Sequence, residues 1–538
     1  MNFDTMFSPY KSQRVPIIAG RGMVCTSHPL AAQAGLDVLK SGGNAVDAAV
    51  ATAAALTVVE PTSNGIGGDA FALVWKDGQL HGINGSGRAP ESISIDAVTS
   101  RGHKTMPKFG FEPVTTPGQV GAWAALIGRH GELSLADNLA PAIDYARNGH
   151  PVAPVVSKYW KRAWDAYSAN CKDDMFKPWF ELFAANEDEP NRPPAAGEIW
   201  KSVRHALTLE EIARTDGKSF YTGALAHAIA DFSNKHNGFI SKTDLAGYEP
   251  RWVEPISTRY CGFDVWQMPP NGQGIVGLIA LNILAGYELD FGSARAYHLA
   301  IEAIKLAFSA GKAAITDPDH MTVSVEEFLS PSYAAKLRES IGKRALEPAP
   351  ILPNSGGTIY LCTADSQGNM VSYIQSNYMG FGSGLVVPGT GISLQNRGAD
   401  FSLDPAHANA LQGGKLTYHT IIPGFLTKDF KPIGPFGVMG GYMQPQGHVQ
   451  VILNLVHGNL NPQQALDAPR WQWMADKRVE IEHHFPRHIV SELSNMGHQL
   501  STPPDGGGFG RGQIIWQMEN GALCGGTESR ADGAIASY

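Results

Sequence analysis

The sequence has little of what marks a membrane, exported or nucleic-acid-binding protein. No stretch reaches the roughly 18 apolar residues that a membrane-spanning helix needs, and the apolar run after Arg14 is too short for the core of a signal peptide. Lysine and arginine total 42 against 50 aspartates and glutamates, with no basic run, which argues against a nucleic-acid surface. These absences predict a cytoplasmic enzyme with no membrane or nucleic-acid partner.

Cysteine is also scarce, which limits redox and metal chemistry. The 538 residues contain five cysteines, an odd number, scattered without metal-ligand spacing. We therefore predict reduced, buried thiols with structural roles, and neither a metal nor another cofactor. The residues concerned are Cys25, Cys171, Cys261, Cys362 and Cys524.

Apolar residues make up 43% of the chain, enough for a large core, and length alone suggests about three or four domains. Residues 45–59 are rich in alanine on nearly every face, which is typical of a buried helix. Residues 71–75 and 80–83 flank a turn and predict a hairpin. Helical spacing recurs at residues 29–40, 119–129, 136–147, 225–235, 275–284 and 294–314.

The most informative stretch lies around Thr358. A connector interrupted by prolines, residues 347–353, can form neither a helix nor a central strand. Two β-rich runs follow, residues 358–364 and 370–375, and the Asp-Ser-Gln-Gly between them indicates a hairpin turn. Thr358 is therefore predicted to open a strand directly behind Gly357.

A threonine in this position suggests self-cleavage between Gly357 and Thr358. The hydroxyl of Thr358 would attack the Gly357 carbonyl, and cleavage would leave a new α-amine on Thr358. Such an amine has a reference pKa of about 7.7 to 8.0, so it can act as the base that activates the hydroxyl of the same residue. The alternative is a glycine loop followed by an ordinary β-branched residue that opens a strand.

Several motifs in order resemble the gamma-glutamyltransferase family of N-terminal-nucleophile hydrolases, from about Gly22 to Tyr538. The motifs that carry the resemblance are Ser27-His28-Pro29, Gly42-Gly43-Asn44-Ala45-Val46-Asp47, Val59-Glu60-Pro61, Gly65-Ile66-Gly67-Gly68-Asp69, Thr358 with its hairpin, Phe381-Gly382-Ser383-Gly384, Gly440-Gly441, Asp467-Ala468-Pro469-Arg470 and Arg530-Ala531-Asp532-Gly533.

The resemblance implies an α+β fold, a four-layer αββα sandwich with two central antiparallel sheets. It implies a large chain, residues 1–357, and a small chain, residues 358–538, that stay associated as one compact domain, with a dimer of that unit possible. Thr358 would be nucleophile and base, and Ser376 would hold its hydroxyl. Gly440 and Gly441 would form the oxyanion hole with their backbone N–H groups.

The substrate pocket departs from the family pattern. Ser86 stands where the family has an arginine that binds an α-carboxylate, with Arg88 two residues on, for which a structural role is favoured. Tyr378 replaces an asparagine that contacts the substrate amine. The residues that correspond to the rest of the pocket are Arg397, Asp400, His419 and Thr420.

These exchanges remove groups that recognise an amino acid and add a cation. We interpret Arg397 as the group that binds a substrate carboxylate through paired hydrogen bonds. An ion pair between Arg397 and Asp400, three residues away, is the structural alternative.

The pattern is most similar to the hydrolytic branch of the family. It implies hydrolysis of a small carboxylate-bearing amide, with oxamate as the favoured substrate, converted to oxalate and ammonia through an acyl ester on Thr358 as part of purine breakdown. The alternatives are a gamma-glutamyl hydrolase or transferase acting on glutathione, a glutaryl or cephalosporin-type acylase, and an uncut binding protein that keeps only the fold.

Overall fold

The computed structural model describes residues 14–186, 188–348, 357–504 and 508–538. Its strands are β1 Ile17–Ala19, β2 Met23–Thr26, β3 Asp69–Lys76, β4 Gln79–Gly85, β5 His150–Pro151, β6 Ile199–Trp200, β7 Arg251–Val253, β8 Ile256–Tyr260, β9 Phe263–Gln267, β10 Gly357–Ala364, β11 Met370–Tyr378, β12 Gly424–Lys428, β13 Lys431–Met439, β14 Trp471–Ala475, β15 Arg478–Ile481, β16 Gln499–Ser501, β17 Arg511–Gln517, β18 Leu523–Thr527 and β19 Ala534–Ser537.

Helices occupy much of the rest of the described chain. They are α1 Pro29–Lys40, α2 Ala45–Val59, α3 Ile95–Thr99, α4 Gln119–His130, α5 Leu135–Asn148, α6 Pro154–Asn170, α7 Lys177–Phe183, α8 Val203–Arg214, α9 Lys218–Thr222, α10 Ala224–Lys235, α11 Lys242–Ala246, α12 Gly274–Leu284, α13 Ala294–Ala314, α14 Val325–Phe328, α15 Pro331–Arg338, α16 Met443–Val456, α17 Pro462–Asp467 and α18 Arg487–Asn495. Among the described residues, no helix combines the length and the apolar composition that crossing a membrane requires.

Two seven-stranded sheets form the centre of the molecule. The first has the order β19-β2-β10-β11-β3-β4-β7 and the second the order β1-β18-β17-β13-β12-β9-β8. Neighbouring strands are antiparallel throughout both sheets. Each sheet takes strands from both sides of residue 357, so the two predicted chains interleave in both layers.

Side-chain alternation along the strands explains the layering, because successive residues point to opposite faces of a sheet. On β10, Tyr360 and Cys362 join a buried cluster between the two sheets, together with Phe425 of β12. Ile359 and Leu361 instead join the core beneath the outer helices. Helices thus cover one face of each sheet, and the predicted αββα sandwich is confirmed.

The alanine-rich helix α2 lies in the outer layer that covers the first sheet, and every one of its residues is buried. Its first turn is closed by Asn44 and Asp47, each side chain bonding the other's backbone N–H. Predicted and observed bounds agree for α1, α2 and α13. β10 begins at Gly357, one residue before the predicted start.

The prediction for the cysteines is correct for four of them and wrong for Cys261. Cys261 is exposed, whereas the others are buried. It occupies the tight turn between β8 and β9 with a φ of 47°, and such turns lie at the surface because their backbone must reach water.

Candidate active site

The Gly357–Thr358 peptide lies where β10 pairs with β11. Gly357 is opposite Tyr378 and Ile359 is opposite Gln375. Two residues of β11, at positions 376 and 377, therefore lie opposite the single residue Thr358. This mismatch is a β-bulge, which bends a strand locally and redirects a side chain. The bulge places Thr358 opposite Ser376 at the end of the hairpin.

Ser376 connects the two sides of the junction. Its hydroxyl lies 2.6 Å from the Gly357 carbonyl oxygen, to which it donates, and 3.1 Å from the hydroxyl of Thr358. The amide of Tyr378 donates to the Ser376 hydroxyl oxygen at 2.7 Å. A hydroxyl has one proton and two lone pairs, so Ser376 can polarise the carbonyl while it accepts a hydrogen bond from the Thr358 hydroxyl.

Close packing explains why residue 357 is glycine. A Cβ there would come within 2.7 Å of the amide nitrogen of Gly380 and 2.8 Å of its Cα. Both contacts are with backbone, which cannot move aside as a side chain can. Only glycine lets β10 approach the 380 turn closely enough for its carbonyl to reach Ser376.

Gly440 and Gly441 follow β13 directly. Their φ values are 138° and 58°, a region that side chains disfavour. Gln273 holds this turn by donating from its amide to the carbonyls of Gly441 at 2.9 Å and Thr420 at 2.7 Å. Gly440 lines the same cleft as Gly357, and the role of this pair as an oxyanion hole stays a prediction.

Arg397 is fully buried and begins the 3-10 turn of residues 397–400. Its Nε donates to Asp69 at 3.3 Å and its Nη1 donates to the Thr420 hydroxyl at 2.7 Å. Its guanidinium carbon stands 4.3 Å from the centre of the Tyr378 ring, a cation–π arrangement. Its Nη2 is buried and has no hydrogen-bond partner among the described residues.

His419 completes this group from the other side of Asp69. Its Nε2 lies 3.0 Å from Asp69 Oδ2, and because a carboxylate only accepts, this nitrogen carries the proton. Burial, and then the Arg397 cation, lower the pKa of His419 to about 4. His419 is therefore neutral near pH 7, and the cation at this place is Arg397.

The alternative pairing of Arg397 with Asp400 is wrong, because the ion partner of Arg397 is Asp69. Asp400 instead accepts from the Tyr442 hydroxyl at 2.6 Å and lies 3.8 Å from the Lys312 ammonium. Residues 397–400 form one turn of 3-10 helix, in which these two side chains diverge. Burial, and then the Asp400 carboxylate, raise the pKa of Tyr378 well above its usual range.

The loop at the mouth of the β3–β4 hairpin takes a structural role. Arg88 donates to Asp317 at 2.7 Å and to the Gly414 carbonyl at 2.8 Å, which agrees with the role favoured for it. The Ser86 hydroxyl donates to Asn84 at 2.7 Å. A substrate carboxylate thus finds no free arginine in this loop.

A cleft of about 480 Å³ opens at the junction. Gly357 and Gly440 lie on its wall, and its lining carries three basic residues against one carboxylate, Glu480. The basic residues are Lys108, Arg162 and Arg511. The cleft is large enough to hold a group much bulkier than ammonia beside Gly357.

Sequence reasoning missed two residues of this site. Asp69, in the Gly-Gly-Asp motif, was treated as a mark of resemblance, yet it holds both Arg397 and His419. Tyr442, directly after Gly440-Gly441, holds Asp400. No local pattern in the sequence signals this role of Asp69, because it lies 328 residues from Arg397.

Comparisons with known proteins agree with this architecture. The family model described as gamma-glutamyltranspeptidase matches residues 31–538. The chain is 36% identical to a glutathione hydrolase-like YwrD proenzyme of Bacillus subtilis, covering 96% of this chain and 98% of that one. It is 32% identical to an oxamate amidohydrolase proenzyme of Klebsiella pneumoniae, covering 97% and 99%. A solved cephalosporin acylase of Bacillus halodurans is 56% identical, with a TM-score of 0.96 over 100% of this chain and 99% of that one.

The chain belongs to the gamma-glutamyltranspeptidase family of N-terminal-nucleophile hydrolases. It is a self-processing amide hydrolase, and the predictions of family, fold and enzyme class are confirmed. The position of the cut, the roles of the site residues and the identity of the substrate remain predictions.

Proposed function

We propose that the chain cuts itself between Gly357 and Thr358 and then hydrolyses amides whose acyl group carries a carboxylate, with oxamate as the smallest substrate. The buried, unpartnered Nη2 of Arg397 carries the proposal. An unpaired buried donor costs about 1 to 3 kcal/mol, and a substrate carboxylate would supply the missing acceptor.

The cation of Arg397 favours a substrate that carries a carboxylate over one that carries an ammonium group. The substrate amine of a gamma-glutamyl compound would face a fixed guanidinium and a tyrosine at positions 397 and 378. Like charges in a buried site repel strongly because little water screens them. The pocket therefore favours an acyl group with a carboxylate and no ammonium.

In the proposed reaction the Thr358 hydroxyl attacks the amide carbonyl while the α-amine of Thr358 takes its proton. The amides of Gly440 and Gly441 stabilise the oxyanion. The C–N bond then breaks, the leaving amine takes the proton, and an acyl ester on Thr358 remains. Water activated by the same amine hydrolyses the ester, which releases the acid, oxalate in the case of oxamate.

A second candidate substrate class is a larger amide, of the glutaryl or cephalosporin type. The specific observation in its favour is the basic cleft of about 480 Å³ at Gly357 and Gly440. Oxamate, whose leaving group is ammonia, would leave most of that space unused. The 56% identity to a cephalosporin acylase supports the same candidate.

A panel of four amides separates these possibilities. We expect release of ammonia from oxamate and little from oxamide, its neutral counterpart, because only oxamate gives Arg397 a charged acceptor. Glutaryl anilide tests the longer acyl group and gamma-glutamyl anilide tests the amino acid. Preference for glutaryl anilide over oxamate would select the second candidate, and preference for gamma-glutamyl anilide would contradict the proposal for Arg397.

The rate should depend on pH through the α-amine of Thr358. The amine must be unprotonated to act as base, so kcat should rise with pH through an apparent pKa at or below about 7.7 to 8.0, since the Arg397 cation disfavours the ammonium form. His419, with a pKa of about 4, stays neutral near and above neutral pH and therefore contributes no rise in rate there. Initial rates on oxamate between about pH 5 and 9 test this.

The control for the pH profile is His419→Gln, which keeps a polar group of similar reach. The rise of the rate with pH should persist in this variant. If the rise disappears in His419→Gln, the histidine is the titrating group. A parent profile that is flat with pH would count against a titrating amine as base.

A further inference from the structure

A buried polar cluster lies far along the chain from the site, on helix α13. It consists of His298, Glu302 and Lys305 of α13 and of His498, which precedes β16; we call it the Glu302 cluster. Its four side chains are at most 4% exposed. Three of them come from the predicted large chain and His498 from the small chain.

The hydrogen bonds of the cluster define which atoms carry protons. His298 Nε2 lies 3.0 Å from the Gly342 carbonyl, so it donates, and its Nδ1 must accept from His498 Nε2 at 2.8 Å. Lys305 lies 2.8 Å from Glu302 Oε1. Burial, and then Lys305 and His298, lower the pKa of His498 to about 3, so the imidazole of His498 is neutral.

The same atoms resemble a metal site, since ligand atoms of His298, Glu302 and His498 lie within 4.8 Å of one another. The lysine decides against that interpretation. Its ammonium already contacts the carboxylate oxygen that a metal would need, and the other oxygen of Glu302 accepts from the Leu346 amide at 2.9 Å. Glu302 is thus already paired with a cation and bound to the backbone.

What the cluster holds is the segment of residues 342–347. Gly342 is bound by His298, and Leu346 is bound twice, its amide by Glu302 and its carbonyl by Lys305 at 3.0 Å. The small chain holds the segment from the other side. There the Ala345 amide donates to the Met496 carbonyl at 2.9 Å, and Glu347 pairs with Lys477 at 2.8 Å.

Among the described residues before Gly357, this segment is the last one for which contacts are known. Gly357 lies ten positions after Glu347, and a chain spans at most about 3.3 to 3.6 Å per residue. If every contact of the segment were lost, the nearest upstream element would be α15, whose end at Arg338 is about twice as far from Gly357 along the chain. The point at which residue 347 is held therefore limits where the scissile peptide can lie.

We propose that the Glu302 cluster is an anchor that positions the linker so that Gly357 stays seated against Ser376 for self-cleavage. The proposal rests on the self-cleavage proposed above. His298, Glu302, Lys305 and His498 are positioning residues, since they act through the linker and are not part of the reacting group.

The test removes the hold on Leu346 without leaving a buried charge. Glu302→Leu combined with Lys305→Met replaces the ion pair with apolar side chains, an exchange that folds often tolerate. Loss of every contact of the segment would double the chain length to Gly357 and slow loop closure about threefold, whereas the double variant removes only the two bonds to Leu346. We therefore expect the double variant to self-cleave more slowly than the parent, by up to about threefold, in cell-free synthesis, followed on a denaturing gel.

Two further measurements separate positioning from a general loss of stability. Once cleavage is complete, hydrolysis per cut chain should equal that of the parent, since the linker no longer acts. Ile304→Ala, a buried apolar change on the same helix, should lower the melting temperature while it leaves the cleavage rate near that of the parent.

Cleavage of the double variant at the parent rate would overturn the anchor. Two other results would also overturn it. One is that Ile304→Ala, at the same loss of melting temperature, slows self-cleavage as much as the double variant does. The other is that the double variant, once cut, loses hydrolysis to the same extent as it loses self-cleavage. A parent chain that stays uncut would refute the proposed self-cleavage itself, and that result is distinct because every variant would then give one full-length band.

Discussion

Replacing Thr358 with alanine is expected to leave the chain as one uncut polypeptide without hydrolase activity. The variant lacks the only oxygen that the bulge of β10 places 3.1 Å from Ser376. Without cleavage no α-amine forms on residue 358 either, so nucleophile and base are lost together. Loss of the nucleophile alone lowers kcat by about 10⁶-fold in a well-studied serine hydrolase, and we expect a loss of at least about 10⁴-fold here.

The measurement combines a denaturing gel with N-terminal sequencing. The parent should give two fragments, and the smaller should begin Thr-Ile-Tyr-Leu, the residues from 358 onward. Thr358→Ser keeps the hydroxyl and should retain part of both activities. A small fragment with another N-terminus, or hydrolysis by uncut Thr358→Ala, would remove Thr358 from its proposed role.

The helices and the central hairpin could be predicted because local pattern and tertiary environment agree there. The all-round apolar α2 is buried on every side, and the β-rich runs around Asp365 pair as predicted, from Ile359 with Gln375 to Ala364 with Met370. The division into sheets could not be derived from residues alone, because β10 pairs with β2, more than three hundred residues earlier. That part of the fold came from the resemblance.

Contacts within the candidate site also could not be derived from the sequence alone. Closeness along the chain suggested Asp400 as the partner of Arg397, whereas the partner is Asp69, which pairs with Ser376 across β3 and β11. The close approach of Gly380, which requires glycine at 357, likewise has no mark in the sequence. Both features depend on which strands are neighbours, and spacing in one sequence does not report that.

Arg397 is the residue whose loss should change substrate affinity most. The nitrogen Nη2 of Arg397, with no partner among the described residues, changes the prediction from the sequence, because Nε and Nη1 already donate to Asp69 and Thr420. A substrate carboxylate would accept at least one charge-assisted hydrogen bond from Nη2. Loss of one such bond costs about 1.5 to 3 kcal/mol, or about 10- to 150-fold in KM for oxamate.

Arg397→Ala alone would confound this measurement, because it leaves Asp69 buried without its cation, a change that costs about 3 to 5 kcal/mol of stability. The sharper variant is Arg397→Met with Asp69→Asn, which removes both charges and keeps an acceptor for His419. Asp69→Asn alone is its matched control. Arg397→Lys should recover only part of the affinity, since an ammonium lacks the planar fork.

The deciding measurement compares the hydrolysis of oxamate with that of oxamide by these variants. Each variant is first allowed to complete its self-cleavage. If Arg397 binds the carboxylate, the double variant should raise KM for oxamate steeply, leave the slow hydrolysis of oxamide nearly unchanged, and self-cleave as Asp69→Asn does. An equal loss on both amides would show that Arg397 supports the geometry around Tyr378 and Ser376. The acid group would then have to bind at the basic cleft, which Lys108 and Arg511 line together with Gly357, and the larger amides would become the better substrates to pursue.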